Sequence, residues 1–224
     1  MAKISFDIVG FDLDGTLVDS SGDLTAAVND TLASVGRAPL TVDQVKTMVG
    51  GGAKHMLTQG LEATGGVEAD EFRALYKRML GYYGEHLSVH TRPFPGAVAA
   101  LDALTERGIK VAVCTNKFES FATRLLTDLG LIDRFACLIG GDTLGPGLSK
   151  PNRAPIDEMI RRSGGGRAAF VGDSIYDIMA AQNAEIPGIA VSFGFLLEPV
   201  EQMGADAVID SFDELIPTLE RLSA

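Results

Sequence analysis

Residues Ile8-Val9-Gly10-Phe11 close an apolar run that begins near residue 4, and the run stops at two carboxylates, Asp12 and Asp14, with Gly15 and Thr16 beside them. That pattern predicts a buried strand over about residues 4–12 with an acidic end. From there to about residue 90 the apolar positions recur with helical spacing instead. Leu24, Val28, Leu32 and Val35 share one face, and Thr41-Val42-Asp43-Gln44 has the form of a capping box that opens a second helix. Gly50-Gly51-Gly52 breaks the pattern. A third helix is predicted from Ala53 to Ala63, and a fourth gathers Phe72, Leu75, Tyr76, Met79, Leu80 and Tyr83 on one side. Short amphipathic helices in succession make a small bundle.

At Pro93-Phe94-Pro95-Gly96 the rhythm changes, because two prolines form a stiff junction that does not suit a helix. Helix and apolar strand then alternate: helix 97–107, strand 109–114, helix 119–129, strand 135–139, helix 152–162, strand 168–171, helix 175–184, strands 188–191 and 207–209, and a last helix from about Phe212. This alternation predicts an α/β fold, a Rossmann-like parallel sheet with helices on both faces and with ligands at the strands' carboxyl ends. The expected division is a core made of residues 1–18 and 93–224, with residues 19–92 inserted as a helical bundle.

Composition narrows the partners. The 224 residues are 46% apolar and 22% charged, which supports a real core and argues against disorder. A net charge of −11 without any Lys/Arg-rich run disfavours nucleic acid, whose phosphates need clustered cations. No stretch approaches the ~18–20 apolar residues that span a bilayer, and residues 1–7 lack the apolar segment of a secretion signal. No membrane partner is expected, the expected compartment is the cytoplasm, and monomer and homodimer stay equally open. Cys114 and Cys137 lie inside apolar runs and are expected to be reduced, without a catalytic role.

The chemistry starts at Asp12 and Asp14. Residues two apart in an extended segment point to the same face, so the two acids repel unless a cation sits between them. Further polar groups fall at predicted strand ends or helix starts: Thr115-Asn116, Ser149-Lys150-Pro151, and Gly172-Asp173-Ser174 followed by Asp177. Taken singly, Thr115 and Asn116 suit a strand end entering a helix, Lys150 suits a solvated position before a helix-opening proline, and Asp177 suits a helix amino terminus. In a parallel sheet these ends converge on one rim, which favours a shared site.

Asp12-Leu13-Asp14-Gly15-Thr16, Thr115-Asn116, Lys150-Pro151 and Gly172-Asp173-Ser174-Ile175-Tyr176-Asp177 resemble, in order, the four motifs of the haloacid dehalogenase-like superfamily. The insertion before Pro93 resembles that superfamily's cap domain, and Val18-Asp19-Ser20 with Cys114-Thr115-Asn116-Lys117 is most similar to its phosphoglycolate phosphatase branch.

The resemblance implies a phosphatase acting on a small phosphorylated metabolite, with 2-phosphoglycolate the first candidate. Asp12 would be the nucleophile and Asp14 the general acid and base. A carboxylate meeting a phosphate dianion at 4 Å faces about 8 kcal/mol of repulsion at an effective dielectric near 20, so cations are required. The resemblance supplies Mg2+ on Asp12, Asp173 and the Asp14 backbone carbonyl, with Lys150 bonding both phosphate and Asp12. Thr115 and the Asn116 amide would hold phosphate oxygens, and Asp177 would stand behind them, orienting Lys150 or metal-bound water.

The Gly50–Gly52 turn would face the site, with Lys54 and His55 as candidates for substrate selection, while His86 and His90 are expected on the surface. A phosphosugar phosphatase or mutase and a pyrophosphatase use the same fold. A dehalogenase would not need Asp14 or the metal, and an inactive binding module would not need every charged group. One departure bears on substrate: that branch often carries a proline soon after Thr-Asn-Lys, where this chain reads Lys117-Phe118-Glu119-Ser120-Phe121.

Overall fold

The computed structural model describes residues 4–223. In chain order its elements are β1 (Ile8–Phe11), β2 (Val18–Asp19), α1 (Ser21–Ala33), α2 (Val42–Lys46), α3 (Ala53–Glu62), α4 (Ala69–Glu85), β3 (Arg92–Pro93), α5 (Ala97–Glu106), β4 (Lys110–Cys114), α6 (Glu119–Asp128), β5 (Leu138–Ile139), α7 (Ala154–Arg162), β6 (Ala168–Gly172), α8 (Ile175–Asn183), β7 (Gly188–Val191), β8 (Ala207–Ile209) and α9 (Leu215–Leu222). Among the described residues no helix is long and apolar enough to cross a membrane.

β1, β6 and β7 are apolar without alternation because helices cover both faces of the sheet, and every residue in them is buried. The sheet runs β5-β4-β1-β6-β7-β8, and all its pairs are parallel. β8 is an edge strand, and there the mid-strand Val208 is exposed. One face packs Val9, Phe11, Val111, Val113 and Val171 against Leu101, Leu104, Leu125 and Leu215, and the other packs Phe170 and Ala112 against Ile156, Met159 and Ala181.

α1 to α4 enclose a separate apolar cluster, with Val28, Leu32, Leu57 and Leu61 fully shielded from solvent. Burying each such side chain is worth roughly 1.5–3 kcal/mol. α2 starts at Thr41 with a true capping box, the Thr41 hydroxyl accepting from Gln44 N–H and the Gln44 side chain accepting from Thr41 N–H. The bundle leaves and rejoins the sheet at one place: β2 and β3 pair antiparallel, Val18 opposite Pro93 and Asp19 opposite Arg92. Phe94 touches both apolar clusters there.

Several boundaries differ from the sequence expectation. α1 ends at Ala33, the chain turns through Gly36 at φ +70°, and Val35 is exposed instead of sharing the apolar face. The strand expected at 135–139 shrinks to Leu138–Ile139, since a 3₁₀ turn over Ile132–Arg134 takes up the approach. The helix expected from 152 starts at Ala154, with Pro155 in its first turn and Pro151 outside it. The last helix begins as a 3₁₀ turn, Phe212–Glu214, before α9.

A buried acid fastens the re-entry. Asp23, in the first turn of α1, accepts from His90 N–H (3.0 Å), Thr91 N–H (2.9 Å) and the Thr91 hydroxyl (2.7 Å). Asp23 and Thr91 are both shielded, so deleting the carboxylate strands donors away from water, at about 1–3 kcal/mol for each. Asp23→Ala is expected to lower unfolding free energy in urea by about 3 kcal/mol, and a loss below about 1 kcal/mol would refute the fastening role.

Candidate active site

From β1 the neighbouring strands run outward on either side, β4 and β5 one way and β6, β7 and β8 the other, so a crevice opens at the carboxyl end of β1. Phe11 stands opposite Val113 of β4 and Val171 of β6. Asp12, Thr115 and Asp173 therefore emerge at nearly the same height from three adjacent strands.

Lys150 holds the centre of this rim. Its Nζ lies 2.9 Å from Asp12 Oδ1 and 2.5 Å from Asp177 Oδ1, and all three side chains are buried. Asp177 is fixed from its other oxygen, which accepts from Ser174 N–H at 3.0 Å and the Ser174 hydroxyl at 2.6 Å. Asp12 Oδ1, by contrast, is a buried oxygen that receives no aligned hydrogen bond; its contact with Lys150 is an ion pair only. Burial raises the Asp12 carboxyl to about 6, with Lys150 opposing and Asp177 adding to the rise. For Lys150 burial pushes downward, but Asp12 and Asp177 outweigh it and hold the ammonium above the ordinary lysine value.

Asp173 sits beside them. It accepts from the Thr16 hydroxyl at 2.8 Å and from Phe195 N–H at 2.7 Å, and burial, then Asp177 and Asp12, raise its carboxyl well above the usual range. The turn after Asp14 has no room for a side chain: Gly15 adopts φ +86°, and a Cβ there would fall 2.1 Å from Asp173 Oδ2.

Asp14 turns its carboxylate away from Asp12's partners. Both of its oxygens accept from Lys117 Nζ at 2.8 Å, and Oδ1 also accepts from the Ser20 hydroxyl at 2.5 Å. Lys117 Nζ donates further to the Tyr83 hydroxyl of α4 at 2.5 Å, and its side chain is only 4% exposed. Burial opposes the charge on Lys117, but Asp14 and Tyr83 more than offset it and keep its pKa raised. Burial pushes the Tyr83 phenol up to about 12.

The remaining predicted residues divide. Thr115 faces the cavity between the rim and the bundle, its Oγ accepting from Lys117 N–H. The Asn116 amide side chain donates to Gly50 O (2.9 Å) and Lys150 O (3.0 Å), tying the glycine turn to the rim, while its backbone N–H meets no acceptor among the described residues. Gly50 and Gly52 line the cavity, but Lys54 is exposed and outside it, and His55 packs on Gly51 instead. His86 bonds Tyr82 O and stacks on that ring, and His90 is exposed. Cys114 is a free, buried thiol that burial pushes up to about 12.

Sequence reasoning assigned no role to Lys117, Tyr83, Ser20 or Thr16. The signal for Lys117 was present: a lysine directly after Thr115-Asn116, just beyond a buried strand end.

The donor set fits a hard divalent cation. Asp12, Asp173 and Asp177 each bring an oxygen within 4.8 Å of the others, all buried, and Asp12 Oδ1 lacks a directed donor. Asp177 already spends both oxygens on Lys150 and Ser174, which leaves Asp12 and Asp173 as the carboxylates better placed for an ion.

This architecture matches known proteins along nearly its whole length. A family model described as haloacid dehalogenase-like hydrolase covers residues 9–191, and the chain belongs to that family. Among its relatives, a protein of Agrobacterium fabrum named phosphoglycolate phosphatase is 44% identical over 93% of this chain and 90% of its own. One of Caulobacter vibrioides with the same name is 42% identical over 91% of this chain and 86% of its own. A crystal structure from Haemophilus somnus, described as a predicted phosphoglycolate phosphatase, superposes with a TM-score of 0.89 at 31% identity, covering 96% of this chain and 98% of that one.

The raised carboxyl of Asp12 carries a stability consequence. The free side chain ionises near 3.8 and the folded one near 6, so between these values the folded state alone keeps the proton, and stability falls as pH rises through that window. Asp12→Asn is therefore expected to stabilise the protein in chelator at pH 7 by about 1–3 kcal/mol, with the gain gone by about pH 4. Thermal melts at both pH values check this; equal gains at both would refute the burial penalty.

Proposed function

We propose that this chain is a Mg2+-dependent phosphatase that hydrolyses 2-phosphoglycolate to glycolate and phosphate through an aspartyl-phosphate on Asp12. The observation that carries the reading is the convergence of Asp12, Lys150, Thr115 and Asp173 at one strand rim, in a family of hydrolases. The names of the Agrobacterium and Caulobacter relatives support the substrate. Residues 19–92 act as a cap on a core of 1–18 and 93–224, and the enzyme works in the cytoplasm as a monomer or homodimer.

Each residue has a task in this reading. An Asp12 oxygen attacks phosphorus, the bond from phosphorus to the glycolate oxygen breaks, and Asp14 gives that oxygen a proton. In the second half the Asp14 carboxylate takes a proton from water, the water oxygen bonds phosphorus, the bond from phosphorus to the Asp12 oxygen breaks, and Asp12 regains its carboxylate while Asp14 is protonated again for the next turnover. Lys150 stays paired with Asp12 as an ion pair and offsets charge on the incoming phosphate, while Asp177 fixes where its Nζ stands. The Thr115 hydroxyl and the free Asn116 N–H bind phosphate oxygens. Asp12, Asp173 and the Asp14 carbonyl would hold Mg2+, which would supply the further positive charge that the phosphate dianion demands. The glycine turn, tied down through Asn116, keeps bulk water from the phosphoenzyme.

Activity on 2-phosphoglycolate is expected to vanish in chelator and return with Mg2+, and full turnover without metal would overturn the cation assignment. Asp12→Asn should lose at least about 10³-fold in turnover, with deamidation excluded by mass. Asp14→Asn should still take up a phosphoryl group from an ester with a good leaving group, seen as a covalent phosphoenzyme. A kinetic panel of phosphorylated acids, sugars and nucleotides tests the substrate: kcat/KM should be highest for 2-phosphoglycolate.

A further inference from the structure

An acid substrate brings a second negative charge, and the cavity offers little to meet it. Past the phosphate end its wall is apolar, built from Leu24, Val49, Met56, Met79, Leu80 and Phe121. Among the described residues lining the cavity Lys117 is the one cation, and Lys54, the cationic side chain next to the glycine turn, lies outside it. A carboxylate left against such a wall without a partner would lose more than it gains from burial.

The geometry points to Lys117 and Tyr83 as the pair that recognises the substrate's carboxylate; this rests on the phosphoglycolate reading above. Lys117 is charged, shielded and on the cavity wall, and it reaches there from the rim residue next to Asn116. Tyr83 meets it from the bundle. Because the Tyr83 oxygen accepts from Lys117, its own proton is left to donate, and no described residue accepts it. An ammonium and a spare phenolic O–H, held side by side at 2.5 Å on the cavity wall, make a two-point site for one carboxylate.

A role confined to pairing with Asp14 explains the 2.8 Å contacts but not the rest. It needs no tyrosine from the bundle, and it places no limit on the ester's other end. With both partners in use, a carboxylate-bearing ester meets a pair whose two members come from the rim and from α4 and are already in contact.

The test compares 2-phosphoglycolate with 2-hydroxyethyl phosphate, a neutral-tailed ester of similar size. The wild-type enzyme is expected to prefer the acid by about 100-fold in kcat/KM, and Lys117→Met to bring that ratio close to one, even if the loss of Asp14's partner lowers both rates. Tyr83→Phe should cut the ratio by about 10-fold, and it decides the question should Lys117→Met fail to fold. Lys117→Arg, which keeps the charge, should retain most of the preference. A large wild-type ratio that survives Lys117→Met or Tyr83→Phe overturns this inference and leaves the phosphoglycolate reading intact. A wild-type ratio near one overturns that reading, and this inference with it.

Discussion

Asp12, Asp173 and Asp177 bring three carboxylates within 4.8 Å of one another where water barely reaches, with Lys150 wedged between two of them. Opposed charges in such surroundings act strongly, and any of them left unmatched is costly. Much of the local architecture serves that constraint. Ser174 and Phe195 spend backbone N–H groups on the acids, and Thr16 spends its hydroxyl. Gly172 is bare because a Cβ there would lie 2.3 Å from the Asp177 side chain. The sheet supplies the stiffness, since Asp12 and Asp173 follow β1 and β6, strands paired on both sides, and Asp177 sits in the first turn of α8 just after β6.

The helical bundle meets the rest of the chain through polar ties, Asn116 to Gly50 and Lys117 to Tyr83, and through Phe121 and Phe195, which pack on the apolar cluster that holds its own helices together. Hydrogen bonds between the two parts can exchange for water at little net cost, whereas opening the bundle itself would expose Leu57, Leu61 and Val28.

The fold was legible because its strands are buried on both faces and its helices on one, so the apolar runs and the helical spacing each had a single reading. The rim was legible because Asp12 and Asp173 fall at strand ends, where topology alone makes them neighbours, and Lys150 lies in the loop that crosses from β5 to α7 at the same end of the sheet. Val35 misled because helical spacing continues in the letters after the backbone has turned away at Ala33. Lys54 misled because adjacency to a turn that faces the cavity says nothing about which way the side chain leaves it. Lys117 stayed hidden for another reason: its partners Asp14 and Tyr83 lie 103 and 34 residues away, and a lysine after a strand ordinarily reads as solvated. Only the folded chain shows that this one is not.

The pairing of Asp19 with Arg92 means that the chain comes back to the point where it left. For the sheet, the excursion between them is invisible: its strands keep the same neighbours whether the detour is a tight turn or a bundle. The entropy of closing such a detour rises only slowly, by about 0.6 kcal/mol for each doubling in length. The sheet and the bundle are therefore joined along the backbone at a single doorway, and the length of the detour beyond it is only a weak constraint on the strands.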